Sequence, residues 1–383
     1  MPKNIEQKMV RSMTANTNND KELNSQRISR ITIEGYKSIK HCDLELGRIN
    51  VLIGSNGSGK SNFISLFKLF QNMIDGQLQL YVARHGSPNA FFYQGIKHTA
   101  AIDVKFYFVN NGYHFNLVPT MDNRVMFAGE WFYWKQIDER MIASGNLESN
   151  WRVGTGTRID SYVKPILEGQ KWRVYHFHDT GDMAFIKQKG RIQDNAELAP
   201  DARNLAAFLY RLKLTASNAY DAIVRTVRMV APYFWDFYLR PDPFDGTLIS
   251  LEWTDIAGEN LFTAAQLSDG TLRFICLATL LLQPQELMPD TILIDEPELG
   301  LHPYAISVLS ALIKKASVDS QIIISTQSVE LLNEFQVEDV IVVNHNGKSS
   351  NFSRLDKEEL RIWLEEEYSI GDLWKSNIIG GRP

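Results

Sequence analysis

The segment from Gly54 to Ser61 has the residue types and spacing needed to bind phosphate. It reads Gly-Ser-Asn-Gly-Ser-Gly-Lys-Ser and fits the pattern GxxxxGK[ST], in which backbone N–H groups surround phosphates. Lys60 of this pattern would reach the β- and γ-phosphates, and the hydroxyl of Ser61 would bind Mg²⁺. The sequence therefore predicts a site for ATP and Mg²⁺, and the predicted ATP-binding residues are Gly54, Ser55, Asn56, Gly57, Ser58, Gly59, Lys60, Ser61 and Asn62.

A second segment supplies carboxylates, because the apolar run Ile292–Ile294 ends in Asp295 and Glu296. A triphosphate site needs one carboxylate for the metal and another group that polarises the attacking water. We therefore predict that Asp295 binds Mg²⁺, directly or through water, and that Glu296 is the catalytic base. An apolar strand that runs into an acidic turn would look the same in isolation, so this prediction depends on the phosphate-binding segment.

Around both segments, predicted strands and helices alternate as in an α/β protein with a parallel sheet. An apolar strand over Ile49–Ile53 leads into the phosphate-binding loop, and apolar residues at helical spacing follow over Asn62–Ile74. The stretch from about Ala101 to Trp253 has mixed character. Further elements are predicted at Ile28–Glu34, His41–Leu46, Ile102–Phe108, Ala202–Leu214, Leu272–Leu282, Thr291–Asp295, Tyr304–Lys315, Gln321–Ser325, Val329–Glu334 and Asp339–Val343.

Composition is that of an ordinary globular protein and limits its partners and location. The chain has 383 residues and a formal net charge of -5, so DNA binding is possible but not indicated. Cys42 and Cys276 stand alone and are interpreted as reduced, structural residues. No apolar run is long enough to span a membrane, and residues 1–27 have the composition of a flexible tail without a secretory signal. A cytoplasmic protein with no membrane partner is expected.

Two further clusters admit both a functional and a structural interpretation. His176 and His178 are expected to alternate along a strand, with both imidazoles on one side near Asp179 and Asp182. That arrangement would suit a metal-dependent nuclease, but polar residues on the open face of a strand are the favoured interpretation. The aromatic segment Glu130–Trp134 would either stack bases or fill a core, and the core is favoured.

Several segments together resemble the ABC-type ATPase heads of the RecF and SMC class. The chain is especially similar to the stand-alone bacterial AAA-family (AAA_21-like) ATPases of that class. These in turn resemble the ATPase subunits of phage-defence and retron-type systems. The resemblance extends from Ile28 to the end of the sequence, and the segments that carry it are Ile33–Ile39, Gly54–Ser61, Leu267–Thr271, Ile294–Glu298 with Gly300–Pro303, and Ile324–Ser328.

The resemblance implies roles for three more sites. A segment similar to the ABC signature contains Ser268, Asp269 and Gly270, which would contact the γ-phosphate bound by an opposing subunit. Read in isolation, the same residues are a helix N-cap. Gln327 stands at the switch position, where an amide would orient water but take no proton, which implies slow turnover. Gln94 resembles the residue that completes the Mg²⁺ shell, with a tight turn as the alternative interpretation.

The implied fold is a P-loop NTPase of the ABC and RecF-like head type. It has an inserted lobe that carries the signature and no coiled-coil arm, because sustained heptads are missing from the sequence. The resemblance also implies ATP hydrolysis, a nucleotide-dependent head-to-tail dimer or larger assembly, and an effector protein from a neighbouring gene. The predicted parts are a flexible tail (1–27), an N-terminal α/β lobe with the phosphate-binding loop (28–120), an inserted mixed lobe ending in the signature helix (121–288), and a C-terminal part with the acidic and switch strands (289–383).

Other functions stay open at this point. A DNA-repair ATPase like RecF would need basic side chains on the DNA-facing surface of its dimer, and an ATP-gated nuclease would use His176 and His178. A ring-forming AAA+ remodeller shares the two phosphate-site segments, but the Leu267–Gly270 segment argues against it. The segments Ile370–Trp374 and Ile379–Pro383 resemble the close of such ATPase heads, and the sequence assigns them no role.

Overall fold

The computed structural model describes residues 27–135, 138–169, 172–258 and 260–382. Residues 1–26 of the predicted flexible tail lie outside the described residues. The chain divides into two compact units built from interleaved segments. Among the described residues, the first unit comprises 27–47, 68–169 and 345–353, and the second comprises 48–67, 172–344 and 354–382. Both predicted phosphate-site segments belong to the second unit.

The elements are numbered along the chain. The strands are β1 (Arg30–Tyr36), β2 (Ile39–Glu45), β3 (Ile49–Ile53), β4 (Ile102–Phe108), β5 (Asn111–Pro119), β6 (Val125–Trp134), β7 (Asp138–Ala143), β8 (Trp172–Tyr175), β9 (Gly190–Arg191), β10 (Phe234–Phe237), β11 (Leu248–Ile249), β12 (Glu252–Asp255), β13 (Leu261–Thr263), β14 (Thr291–Asp295), β15 (Gln321–Thr326), β16 (Val340–His345) and β17 (Ser350–Arg354). The helices are α1 (Lys60–Ile74), α2 (Leu78–Arg84), α3 (Asp160–Gly169), α4 (Leu205–Thr215), α5 (Ser217–Val230), α6 (Asp269–Leu282), α7 (Pro303–Ala316), α8 (Val329–Leu332), α9 (Arg361–Glu365) and α10 (Ile370–Lys375). Within the described ranges, none of these helices is both long enough and apolar enough to cross a membrane.

The first unit contains an antiparallel sheet with the strand order β2-β1-β4-β5-β6-β7. Buried and partly exposed residues alternate along β4, as expected for a strand with one packed face. β5 and β6 pair with each other, although the predicted lobe boundary at residues 120 and 121 falls between them. Phe132 and Tyr133 of the aromatic segment Glu130–Trp134 are buried in this unit, which confirms the core interpretation for these two residues, whereas Trp131 and Trp134 are partly exposed.

The second unit is organised around parallel strands, which lie side by side in the order β16, β3, β15, β14 and β8. Every residue of β3 and β15 is buried, as expected for parallel strands that are covered on both faces. Because these strands are parallel, the carboxyl ends of β3, β14 and β15 meet at the edge where α/β proteins bind ligands. The predicted parallel sheet is confirmed, and so are the predicted bounds of β3 and β14.

Four helices begin at residues other than those predicted. α1 begins earlier, at Lys60, and so does α6, at Asp269. The other two differences each have a local cause. Ala202 has a left-handed backbone with φ of 55°, so it cannot belong to the helix, and α4 begins at Leu205. α7 begins one residue earlier than predicted, at Pro303, because a proline at the first helical position loses no hydrogen bond. The imidazole Nδ1 of His302 accepts from Tyr304 N–H at 3.3 Å and caps that helix.

The predicted strand through the two histidines is shorter than expected. β8 is the edge strand of the parallel sheet and ends at Tyr175. The N–H of His176 donates instead to Pro200 O at 2.9 Å, which draws the chain away from the sheet. The prediction that His176 and His178 alternate along a strand is therefore wrong.

Candidate nucleotide-binding site

The loop between β3 and α1 contains the predicted phosphate-binding residues, and its glycines are required by the backbone. A Cβ atom on Gly54 would lie 2.3 Å from Val343 O and 2.7 Å from Ser58 Oγ, so no side chain fits there. Gly57 and Gly59 have φ angles of 77° and 115°, in the region that favours glycine. The loop therefore has its bent conformation because glycine stands at these positions.

Lys60 is the cation of this loop. Its ammonium donates to Gly54 O at 2.6 Å and to Ser55 O at 3.1 Å, and the residue is buried. Burial lowers the pKa of Lys60, and the neighbouring carboxylates of Glu296 and Asp295 act in the opposite direction. The two carbonyl partners leave donor capacity on the ammonium for an anion.

Ser61 and Asp295 are far apart in the sequence and close in the structure. Ser61 Oγ lies 3.3 Å from Asp295 Oδ2, and the hydroxyl of Ser325 donates to the other oxygen of the same carboxylate. Mg²⁺ takes hard oxygen ligands of this kind at about 2.1 Å. In the same loop, Ser58 Oγ is buried and has no hydrogen-bond partner among the described residues. A phosphate oxygen would satisfy it, so the residues fit both ATP and Mg²⁺.

Glu296 and Gln327 are also brought together. Glu296 has a left-handed backbone with φ of 45°, a conformation that costs on the order of 1–3 kcal/mol for a residue other than glycine. Its N–H donates to Ser325 O at 2.9 Å, which helps to hold it in that conformation. Its carboxylate accepts a hydrogen bond from Gln327 Nε2. The two predicted catalytic side chains thus contact each other where β14 and β15 end.

Sequence reasoning assigned no role to Glu298, which the structure places against the end of β15. Its carboxylate oxygen Oε1 accepts from Thr326 Oγ1 at 2.6 Å and from Gln327 N–H at 3.1 Å. The other oxygen, Oε2, is buried without a hydrogen-bond partner in the ranges that the structure covers. Burial raises the pKa of Glu298, and the charge of Glu296 adds to this effect. The spacing between Glu296 and Glu298 was visible in the sequence, but their orientation was not.

We expect Glu298→Gln and Glu298→Ala to differ in stability. Glutamine keeps an oxygen that can accept from Thr326 and Gln327, whereas alanine leaves both donors unpaired and should lower the free energy of unfolding by about 1–3 kcal/mol. Because the pKa of Glu298 is raised in the folded protein, ionisation of this group costs stability as the pH rises. The Gln variant should therefore equal or exceed the wild type at alkaline pH in denaturant unfolding. Equal destabilisation by both variants would contradict this role.

The signature-like residues form the start of α6 and have local structural roles. Ser268 caps the helix, since its Oγ accepts from Thr271 N–H at 3.1 Å. Asp269 lies 3.8 Å from the ammonium of Lys187. A Cβ atom on Gly270 would lie 2.3 Å from Gly300 O, so the glycine permits close packing. The N-cap interpretation is confirmed, and a contact with a second subunit stays a prediction.

Gln94 lies in the first unit, apart in the sequence from the other predicted metal ligands. Its φ of 53° places it in a left-handed turn, and its side-chain amide donates to the hydroxyl of Tyr93 at 3.1 Å. The tight-turn interpretation describes its local structure. A contribution of Gln94 to the Mg²⁺ shell stays a prediction.

The two histidines differ in their relation to the acidic strand. His178 Nε2 lies 3.0 Å from Asp295 O, and Arg273 donates to His178 O at 3.0 Å. The rings of His176 and His178 are 6.1 Å apart between centroids. No group of three or more His, Cys, Asp or Glu residues in the described part of the chain could hold a metal ion. This geometry favours a structural role in which His178 supports the backbone at Asp295.

Comparison with known families gave two matches, which overlap at residues 164–171. Residues 27–171 match the AAA_15 model, described as "AAA ATPase domain". Residues 164–333 match the AAA_21 model, described as "AAA domain, putative AbiEii toxin, Type IV TA system". A search of curated proteins found no significant match.

Solved structures of SMC heads share the fold. An SMC head bound to the C-terminal winged-helix domain of ScpA aligns with a TM-score of 0.57 and 18% identity, over 88% of this chain and 99% of that one. The Pyrococcus furiosus head with an extended coiled coil, bound to the C-terminal domain of ScpA, gives 0.52 and 17%, over 89% and 99% of the two chains. The Pyrococcus yayanosii head with a coiled coil and joint gives 0.50 and 12%, over 89% and 99%.

The two family matches and the shared fold agree with the geometry of the phosphate-binding loop and the acidic strand. Residues 27–333 thus match AAA ATPase family models in two segments, and the chain has the fold of SMC heads.

Proposed function

We propose that the chain binds ATP together with Mg²⁺ and hydrolyses the bond between the β- and γ-phosphates. The observation that supports this most directly is the approach of Ser61 Oγ to Asp295 Oδ2, at 3.3 Å. The contact between Gln327 and Glu296 lies at the adjoining strand ends. The expected activity is Mg²⁺-dependent release of phosphate from ATP by the purified protein.

Nucleotide binding would involve the loop and its lysine. Lys60 would exchange the carbonyl oxygens of Gly54 and Ser55 for phosphate oxygens, which are stronger partners because they carry charge. The backbone N–H groups of the loop would donate to the same phosphates. Mg²⁺ held by Ser61 and Asp295 would neutralise charge on the β- and γ-phosphates.

Hydrolysis would depend on Glu296 and Gln327. The Glu296 carboxylate would accept a proton from the attacking water, and the Gln327 amide would orient that water. Glu298 would act through Gln327, because it binds the backbone N–H of that residue at 3.1 Å. Because the amide of Gln327 cannot accept a proton, it cannot assist Glu296 as a base, and we expect slow turnover of ATP.

We also propose that ATP joins two copies head to tail. The support is the resemblance of Ser268, Asp269 and Gly270 to the ABC signature, at the N-terminus of the long helix α6. The free N–H groups and dipole at such a helix end favour a negatively charged partner. In this arrangement, the γ-phosphate on one copy would be contacted by the signature of the other.

Ser268→Gly separates the capping role from a contact with a second copy. Glycine at an N-cap costs only a few tenths of a kcal/mol relative to serine, so the helix should persist while the hydroxyl is lost. In a Glu296→Gln background, we expect this variant to bind ATP normally but to form less of the ATP-dependent assembly, measured by light scattering. Ser217→Gly, which changes an exposed serine at the first position of α5, is the matched control. Equal assembly by the two variants would contradict the proposed contact.

The proposed biological role is control of an effector protein from a neighbouring gene in the cytoplasm, in defence against phage. The support is the sequence resemblance to stand-alone ATPases of such systems and the description of the family model over residues 164–333, which names a toxin of a type IV system. Plaque counts on cells that carry the chain with its neighbouring genes test this role. Cells with the Lys60→Ala variant should lose protection. Plaque counts equal to those on cells with the wild-type chain would contradict the proposal.

A further inference from the structure

The Gly380–Arg382 segment lies beside the start of the phosphate-binding loop, within the second unit. A Cβ atom built on Gly381 would be 3.5 Å from Gly54 Cα and 2.7 Å from Val342 Cγ1. Gly54 is the first residue of the loop, directly before the N–H groups that would surround phosphates. This segment, which had no role from the sequence, therefore forms part of the surroundings of the nucleotide site.

The two glycines of the segment explain how the chain comes so close to Gly54. Gly380 and Gly381 have φ angles of 75° and 63°, which other residues adopt only with strain. A Cβ atom on Gly380 would also lie 3.0 Å from Asn344 Nδ2. A side chain at either position would meet both backbone strain and a close contact, so the glycine pair permits the approach to Gly54.

The segment is held in place from two sides. Trp374 Nε1 donates to Gly381 O at 2.5 Å, and Gly381 N–H donates to Asn344 Oδ1 at 2.7 Å. Trp374 is completely buried and comes from α10, whereas Asn344 comes from β16 next to the loop strand. Both backbone groups of Gly381 are therefore satisfied, which fixes the position from which the next residue extends.

Arg382 follows Gly381 directly and is exposed. Its Cα atom is about 3.8 Å from that of Gly381, so its long side chain starts within reach of the loop. A guanidinium pairs with phosphate oxygens through two parallel hydrogen bonds, and it stays charged at all relevant pH values. We propose that Arg382 contacts the phosphates of the nucleotide bound by the loop, as a second cation beside Lys60. This inference rests on the proposed ATP binding.

The test is the affinity for a fluorescent ATP analogue in the presence of Mg²⁺. We expect Arg382→Ala to weaken binding on the order of 10-fold, with Arg382→Lys between Ala and the wild type, because a charge-assisted hydrogen bond is lost. The melting temperature without nucleotide should stay unchanged, since the side chain is exposed. Arg361→Ala, an exposed arginine of α9, is the control for overall charge.

Binding by Arg382→Ala at the affinity of the wild type would overturn the inference while the proposed function stands. Absence of binding by the wild type would overturn the proposed function and the inference with it. Gly381→Ala is a second variant, matched by Gly258→Ala, which has φ of 72° and no atom within 4 Å of an added Cβ. Weaker ATP binding only in the Gly381 variant supports the inference, and equal binding by the two contradicts it.

Discussion

The Glu296→Gln variant should bind ATP with nearly the affinity of the wild type and should lose hydrolysis by a factor of at least about 100. The substitution keeps the size and shape of the side chain. Its remaining oxygen can still accept from Gln327 Nε2, so the contact between the two residues should persist. Only the ability to accept a proton from water is removed. Phosphate release in single-turnover experiments measures the loss, and analogue titration measures the affinity.

ATP that this variant binds but does not hydrolyse should also increase the mass of the assembly that the variant forms. If ATP joins two heads, then Glu296→Gln with ATP and Mg²⁺ should accumulate as a larger assembly, which light scattering detects. Glu286→Gln changes an exposed carboxylate of the same unit and should behave as the wild type. Hydrolysis by Glu296→Gln at the wild-type rate would refute the assignment of Glu296 as the base.

Replacement of Lys60 by alanine should abolish most of the nucleotide affinity. Two charge-assisted hydrogen bonds to phosphate, at about 1.5–3 kcal/mol each, correspond to a loss of at least about 100-fold. The lysine is buried beside three acidic residues, so its removal would leave their negative charge near the triphosphate without this cation. Titration with the fluorescent analogue measures this loss.

A loss of affinity in Lys60→Ala has a second potential cause, which is a change in the conformation of the loop, because Lys60 also donates hydrogen bonds to Gly54 O and Ser55 O. Lys60→Arg keeps the charge and donors with a bulkier head, so it should recover part of the affinity if charge is what matters. Lys315→Ala removes an exposed lysine of α7 and controls for net charge. Equal affinity of Lys60→Ala and the wild type would contradict the role of this lysine.

The phosphate-binding loop and its strands could be predicted from sequence because their signals are local. β3 and β14 are short apolar runs that end at a glycine and at an acidic pair, and both have the predicted bounds. The glycines of Gly54–Ser61 stand where the backbone has a positive φ angle or where a Cβ atom would clash with neighbouring atoms. Local chemistry therefore determined this part of the site.

Other parts depend on contacts between residues that are distant in sequence. The role of Glu298 follows from its bonds to Thr326 and Gln327, which sequence spacing does not reveal. The course of the chain at His176 follows from a bond to Pro200. Likewise, the sequence assigns no role to Gly380 and Gly381, whose approach to the loop is seen only in the structure. Such tertiary contacts override local patterns, and a single sequence does not show them.

The Mg²⁺–ATP site is tested most directly by titration of the wild-type chain with a slowly hydrolysed ATP analogue, with and without Mg²⁺. We predict saturable binding that tightens when Mg²⁺ is added and loses that dependence in Asp295→Asn, because Ser61 Oγ and Asp295 Oδ2 lie 3.3 Å apart and would share the ion. Absence of binding at millimolar analogue, or equal affinity with and without Mg²⁺, would contradict the claim that these residues form an Mg²⁺–ATP site.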